Sequence, residues 1–371
     1  MRVGKHLLLI LSMALLVVGC GSTEQAHAQS QAQHNNSLTK LQIKLFGPGE
    51  TAPLKRVVIN DQELIQKLYA QAQALPKPQK DRICTMQLGL SYALSFWNGD
   101  KLVEMMVANS SGCGDLMLSS GDWRQPDRQF WQVLRQAYDS AAGVKQPDSL
   151  AVVRYTDKTQ PPLYARVTSA SQVQKFLTAL HQLPRQADQC APVGMPFDDL
   201  YFFEGEKMLR VQIFKGACKA VRIMSEEGWR TMDQTVEQLL EQTLATTSFA
   251  KAIPDRLEMR IAFTKHGQDN GLTFMDLGHN NEELQRVRKI YDVTYALPLL
   301  PLRNGNHESC PASGSLKYYM LIFSQGGAWL TTAIAYENCE PVQLNTVGAT
   351  GIPLRQATQE FWSLVRPIGV Q

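Results

Sequence analysis

Residues 84–113 read CTMQLGLSYALSFWNGDKLVEMMVANSSGC and place Asn98-Gly99 between two runs of β-prone residues. Those runs are Tyr92 to Trp97 and Leu102 to Ala108. Asn-Gly favours a tight hairpin turn, because both central residues of such a turn must accept a positive φ. The stretch therefore predicts a β-hairpin with one cysteine before its first strand and one after its second strand.

Two later stretches repeat this layout, with Gly205 and Gly326 near their midpoints. The cysteine pairs are Cys84 and Cys113, Cys190 and Cys218, and Cys310 and Cys339, at separations of 29, 28 and 29 residues. Such regular spacing indicates an internal repeat with three copies.

A helix is predicted before each hairpin. A Leu-Pro step occurs once in each copy, at residues 75–76, 183–184 and 297–298. Apolar residues stand 11, 8, 7 and 1 positions before each proline. This spacing is typical of one helix face, and the proline ends the helix. The predicted N-caps are Asn60-Asp61, Ser169 or Ser171, and Asn280-Asn281.

Further β-prone runs surround these elements. Two precede each helix, one follows each second cysteine, and an amphipathic helix closes each copy. The unit is therefore predicted to be ββαβββα, an α+β fold whose antiparallel or mixed sheet carries helices on one face. The predicted units span residues 41–145, 150–247 and 257–371.

The hairpin geometry predicts a disulfide within each copy. Cysteines at similar distances from a turn lie side by side across an antiparallel pair, where Cα separations suit a disulfide. We therefore expect the pairs 84–113, 190–218 and 310–339 rather than the other fourteen connectivities. Each bond stabilises its unit by roughly 3–4 kcal/mol in the chain-entropy model. Zinc binding is the alternative, but no C-x-x-C or histidine cluster accompanies these cysteines.

The seventh cysteine, Cys20, belongs to a targeting segment. Residues 1–20 contain Arg2, Lys5, an apolar run, and the tetrapeptide Val17-Val18-Gly19-Cys20. The run is shorter than the roughly twenty residues that a membrane span needs. The tetrapeptide resembles the lipobox of bacterial lipoprotein precursors. The resemblance covers these twenty residues alone and implies that residues 1–19 are removed and that Cys20 is diacylated (a palmitate-type anchor).

The competing interpretation is an ordinary secretory cleavage site at Ala26-His27-Ala28. Residues 20–40 are polar and predict a flexible tether between the lipid and the folded body. The lipid and the disulfides together predict an extracytoplasmic protein, anchored in the cell membrane or the outer membrane. In a host with an outer membrane, Gly21 stands where the inner-membrane retention signal has Asp, which favours the outer membrane.

Charge gives no reason to expect nucleic acid. The formal net charge is +3, and it includes Arg2 and Lys5 of the targeting segment. A near-neutral body lacks the basic surface that phosphate binding requires.

No catalytic, metal or cofactor site is predicted. No G-x-S-x-G, P-loop or dinucleotide motif occurs, and acidic residues show no matched positions among the copies. His181, His266 and His279 have simple surface or capping roles. The cluster His307-Glu308-Ser309-Cys310 lacks the second histidine of H-E-x-x-H. We predict no cofactor.

Two aromatic residues are candidate binding residues. Trp97 stands at the tip of the first hairpin, and Phe203 has the equivalent place in the second. An aromatic ring at a tip can anchor a partner, or it can pack on a neighbouring copy.

The sequence therefore favours a non-catalytic binding or scaffolding module of the cell envelope. Its expected partners are the membrane, through the lipid, and an unidentified envelope protein or ligand. One alternative is a cell-envelope hydrolase with its site in the third copy or at a junction. Another is an inhibitor of an extracytoplasmic enzyme that uses hairpin tips.

Overall fold

The structure is a computed structural model, which describes residues 38–48, 50, 52–79, 82, 89–141, 143–185, 195–216, 219–226, 228–245, 247–265, 268–300, 315–337, 341–345 and 354–367. Within these ranges no helix is long and apolar enough to cross a membrane. Cys20, residues 21–37 of the candidate tether, His266 and His307 lie outside them. The end of the predicted tether is wrong, because Leu38 is buried and Lys40 begins the first strand.

The chain forms three successive segments of strands and helices. The first segment contains β1 (Lys40–Phe46), β2 (Lys55–Ile59), α1 (Gln62–Ala74), β3 (Ser91–Asn98), β4 (Lys101–Asn109), β5 (Leu116–Leu118), β6 (Trp123–Arg124) and α2 (Arg128–Ser140). The second contains β7 (Ser149–Tyr155), β8 (Leu163–Val167), α3 (Ala170–Gln182), β9 (Phe197–Glu204), β10 (Lys207–Phe214), β11 (Ala220–Ile223), β12 (Arg230–Thr231) and α4 (Gln234–Leu244).

The short strand β13 (Ala250–Lys251) leads to the third segment. That segment contains β14 (Arg256–Lys265), β15 (Gln268–Leu277), α5 (Asn281–Ala296), β16 (Ser315–Gln325), β17 (Ala328–Tyr336), β18 (Pro341–Asn345), β19 (Leu354–Gln356) and α6 (Gln359–Val365). The predicted α+β class is confirmed.

The three segments share one antiparallel strand order. It is β2-β1-β3-β4-β5-β6 in the first, β8-β7-β9-β10-β11-β12 in the second and β15-β14-β16-β17-β18-β19 in the third. Each segment thus has one strand more than the predicted ββαβββα unit, namely β6, β12 or β19. These strands have two or three residues, which is too short for an alternating pattern to register.

The segments do not form three separate sheets. Strand β10 pairs with β2 through Met208 with Arg56 and Leu209 with Lys55, so the first two segments share a 13-stranded sheet. The third segment forms a six-stranded sheet. Edge pairing of this kind uses backbone groups, which leave no side-chain signal in the sequence.

Helices cover one face of each sheet. In β1, Leu41, Ile43 and Leu45 pack with helices α1 and α2, and β14 alternates in the same way under α5 and α6. We call the opposite surface the helix-free face. The helix-free faces of the two sheets pack on each other. Tyr155 of the second segment and Trp329 of the third, for example, lie in one hydrophobic core.

The hairpin turns recur with the same supporting bonds. Gly99, Gly205 and Gly326 have φ values of 57°, 57° and 54°, so a glycine takes the positive φ in each turn. The predicted turn centre is one residue off, because Asn98 pairs with Lys101 and the central residues are Gly99-Asp100 rather than Asn98-Gly99. The residue before each first strand binds the turn. The amides of these glycines donate to the side chains of Thr39 (2.8 Å), Asp148 (2.8 Å) and Asp255 (2.7 Å) respectively. Asp148 and Asp255 are therefore acidic residues at matched sites, which the sequence interpretation had missed.

The helix ends follow the predicted signals. Asp61 and Asn280 accept capping hydrogen bonds, whereas Ser169 stands at the N-cap and no capping bond from its side chain occurs within the described ranges. The C-cap residues of the three helices are Leu75, Leu183 and Leu297, directly before the prolines. The carbonyls of these prolines accept from Gln125, Thr231 and Gln356, which ties each additional short strand to the helix end.

A buried group of charges joins the three segments. Arg210, fully buried in β10, binds Asp199 (3.0 Å) and Glu50 of the first segment (3.0 Å). Its guanidinium lies 5.9 Å from the ring centroid of Trp329. Burial raises the pKa of Asp199, against the opposing effect of Arg210. Burial alone would lower the pKa of Arg210, but Asp199, Tyr201 and Glu50 raise it overall.

Cys113 is the one cysteine that lies within the described residues. It lies in the turn after β4 and is disulfide-bonded. The other five body cysteines, Cys84, Cys190, Cys218, Cys310 and Cys339, lie outside the described residues. The three pairings therefore stay predictions.

Candidate functional site

The two helix-free faces enclose a cleft of about 680 Å³. Its walls come from strands β1 to β4 of the first segment and β14 to β17 of the third, and the second segment contributes Glu206 and Met208. The three hairpins converge here, because Trp97, Glu206 and Gly327 all line the cleft. This convergence follows from the packing of the sheets.

The cleft exists where the helix-free face is polar. Strand β1 presents Lys40, Gln42 and Lys44 to the cleft, between the apolar residues that face its helices. In β7 the matching face carries Ala151 and Val153, which are fully buried in the contact with the third segment. Apolar side chains can close a contact between sheets, whereas hydrated charges keep the sheets apart.

One ion pair crosses the cleft and a second supports it. Lys44 binds Glu258 (2.9 Å), and Arg260 binds the same carboxylate (2.7 Å). Burial would raise the pKa of Glu258, but Lys44 and Arg260 lower it well below its usual value. Glu258 is therefore ionised at neutral pH, and it links the first and third segments.

A second set of polar groups lies toward the rim. Lys40 binds Glu206 (2.9 Å) and lies 5.2 Å from the ring centroid of Trp97. Arg256 binds Asp276 (2.8 Å), which lies 3.8 Å from Nε2 of His279. The rim thus combines an aromatic ring with a histidine and paired charges.

Of the two predicted binding residues, Trp97 lines the cleft and Phe203 is covered. Both occupy the same register position, opposite Lys40 in β1 and Ser149 in β7. Phe203 is 3% exposed and packs against the turn of the third segment, where a Cβ on Gly327 would lie 3.2 Å from its ring. In this structure Phe203 contacts a neighbouring segment, whereas Trp97 lines the cleft together with Phe46 and Trp329.

The two described histidines have different surroundings. His181 is exposed and binds Glu226 (2.9 Å). His279 precedes the N-cap Asn280, as expected, but its ring faces the cleft rather than capping the helix. Within the described ranges no group of three or more His, Cys, Asp or Glu side chains could hold a metal ion.

Sequence reasoning missed most of the cleft. Arg56, Glu258, Asp276 and His279 line it, although none was singled out as a binding residue. One signal was present, since Arg256, Glu258 and Arg260 alternate with apolar residues and so mark a polar strand face. That pattern does not say which sheet lies opposite.

Comparisons with protein-family models, with curated proteins and with solved structures find no match.

Proposed function

We propose that this protein is a non-catalytic binding module of the bacterial cell envelope, and that it holds its ligand in the cleft between the first and third segments. The observation that carries this proposal is the polar helix-free face of β1, which leaves a cleft where the matching face of β7 is sealed. An aromatic ring and fixed polar groups in a concave site are typical of ligand binding. Trp97 supplies that ring.

We further propose that the segments are three copies of one ββαββββα unit. The shared strand order supports this interpretation, and so do the hairpin bonds of Thr39, Asp148 and Asp255. On this proposal, one copy has a sealed helix-free face and another has a face that forms the cleft.

The membrane anchor is also a proposal, and it rests on the lipobox resemblance at Cys20. Two acyl chains give stable attachment where one does not. Replacing Cys20 by Ser should therefore release the protein from the membrane fraction. Wild-type protein found soluble with its N-terminus at Gln29 would contradict the anchor.

The cleft is tested by filling it. Leu102→Trp places an indole in the cleft wall, whereas Lys67→Trp places the same side chain on the exposed surface of α1. Each purified variant is incubated with envelope extract, and bound species are detected by native mass spectrometry. We expect wild type and Lys67→Trp to retain a species that Leu102→Trp loses. Equal retention by both variants would contradict a binding role for the cleft.

An envelope hydrolase is the second candidate, because His279 and Asp276 lie together at a junction between segments. The state of Glu258 argues against it, since an ionised carboxylate held by two cations cannot donate a proton at neutral pH. If envelope substrates are hydrolysed, His279→Ala should abolish the activity. The inhibitor alternative has less support, because the second and third tips contact neighbouring segments.

A further inference from the structure

Apart from Lys40, which pairs with Glu206, the residues of β1, β2 and β14 that line the cleft include four cations and one carboxylate, Glu258. Lys44 and Arg56 are directly opposite each other in the β1–β2 ladder, and like charges at such positions repel. Across the cleft, Arg256 and Arg260 flank Glu258 on the same face of β14. Four cations thus share one small region.

The nearby carboxylates are used by three of these cations. Glu258 binds Lys44 and Arg260, and Asp276 binds Arg256. Asp255 lines the cleft too, but it accepts the amide of Gly326. Arg56 is therefore the one of these four cations that pairs with none of these carboxylates.

Arg56 has no carboxylate within ion-pair distance in the described part of the chain. Its Nε donates to the backbone carbonyl of Glu206 (2.6 Å), and its guanidinium lies 5.8 Å from the ring centroid of Phe203. Burial lowers the pKa of Arg56 to about 10; Glu206 opposes this shift, and the charge of Arg256 adds to it. The remaining guanidinium N–H groups make no hydrogen bond to the described residues.

We propose that Arg56, with Arg256 beside it in the cleft, binds an oxyanion of the ligand, either a carboxylate or a phosphate. A guanidinium presents two parallel N–H donors that match the oxygens of either group. An anion here would compensate a partly buried charge that no described carboxylate pairs with. This inference rests on the proposed binding function and names the chemical class of its ligand.

The first test uses small anions and the full-length protein. The probes are inorganic phosphate and acetate, titrated at constant ionic strength against chloride. The signal is the indole N–H resonance of Trp97, assigned with Trp97→Phe. We expect a saturable shift with at least one probe, and the stronger probe distinguishes phosphate from carboxylate. No saturable shift with either would overturn the proposal, and this measurement needs no variant of Arg56.

The second test uses matched arginine variants. Arg56→Gln should weaken binding of the effective probe by about tenfold or more, and Arg56→Lys by less, since it keeps the charge but loses the paired donors. Arg222→Gln, outside the cleft and in a partly exposed ion pair with Glu50, should bind as wild type does. Equal affinity in Arg56→Gln and wild type would overturn the assignment to Arg56.

The envelope-extract assay separates this inference from the proposed function. Loss of the bound species in both Leu102→Trp and Arg56→Gln supports both proposals. Loss in Leu102→Trp alone means that the cleft binds a ligand without using Arg56. Retention in both variants contradicts the binding function itself.

Discussion

Arg210 is a buried residue that contacts all three segments. Its guanidinium neutralises Asp199 and Glu50, and both it and Asp199 have no exposed side-chain surface. Removing one partner of a buried pair leaves an uncompensated charge, which costs about 3–5 kcal/mol. We therefore expect Arg210→Met to lower the free energy of unfolding by that amount in urea denaturation.

The matched control for Arg210 is Arg222→Met. Arg222 also binds Glu50, but at 3.4 Å and with a side chain that is 39% exposed. Exposed ion pairs contribute about 0–1 kcal/mol, so this variant should remain close to wild type. Adding Asp199→Asn to Arg210→Met should restore part of the loss. Equal destabilisation by Arg210→Met and Arg222→Met would show that burial of the pair is not the cause.

Glu258 should make the contact between the first and third segments sensitive to acid. Its pKa is lower in the folded protein than its usual value, because of Lys44 and Arg260. A lowered carboxyl pKa adds stability above the unfolded pKa of about 4.3, and this stability is lost as the pH falls through the folded value. The difference in unfolding free energy between wild type and Glu258→Gln should therefore shrink below about pH 4.3.

Thermal and urea denaturation across this pH range measure the effect of Glu258. Glu237→Gln, which removes an exposed ion pair with Lys219, serves as the control for loss of a surface carboxylate. A wild-type advantage over Glu258→Gln that stays constant down to pH 3 would contradict the assigned role.

The hairpin is the element that the sequence predicts best, and the reason is local. Gly99 and its flanking β-prone residues identify the hairpin from local sequence alone, to within one residue of the observed turn centre at Gly99-Asp100. Helices α1, α3 and α5 were predictable for the same reason, since apolar spacing and a Leu-Pro step define them. Strands β6, β12 and β19 were not, because contacts with the proline carbonyls hold them.

The bond between each turn and the residue before its first strand is predicted to stabilise the hairpin. Asp148 accepts the amide of Gly205, so Asp148→Ala should cost about 0.5–1.5 kcal/mol of unfolding free energy. Asp148→Asn keeps an acceptor and should lose less. Urea denaturation of the two variants gives the comparison. Identical losses would indicate that charge, rather than the hydrogen bond, is responsible.

The arrangement of the segments could not be predicted from sequence. The ladder between β2 and β10 contains two residue pairs, and the cleft depends on which sheet faces β1. Alternating patterns show that Lys40, Gln42 and Lys44 share a face. They do not identify Arg256 and Glu258 as the opposite wall. Binding sites between segments are therefore the part of this protein that needs coordinates.

The disulfide pairing can be decided by non-reducing peptide mapping of exported protein. We expect the pairs 84–113, 190–218 and 310–339, because each hairpin brings its own cysteines together. A bond between different segments, or six free thiols, would contradict this prediction and the repeat interpretation behind it.

Removing one of these bonds also tests whether the molecule unfolds as one body. Replacing Cys190 and Cys218 by Ala should cost about 2–5 kcal/mol. Strand β10 pairs with β2, and Arg210 contacts both neighbouring segments. The destabilisation should therefore spread to all three segments rather than affect the second alone. We expect one unfolding transition, shifted as a whole, when fluorescence and circular dichroism are compared. Two separated transitions would show that the shared sheet and the buried charges do not couple the segments.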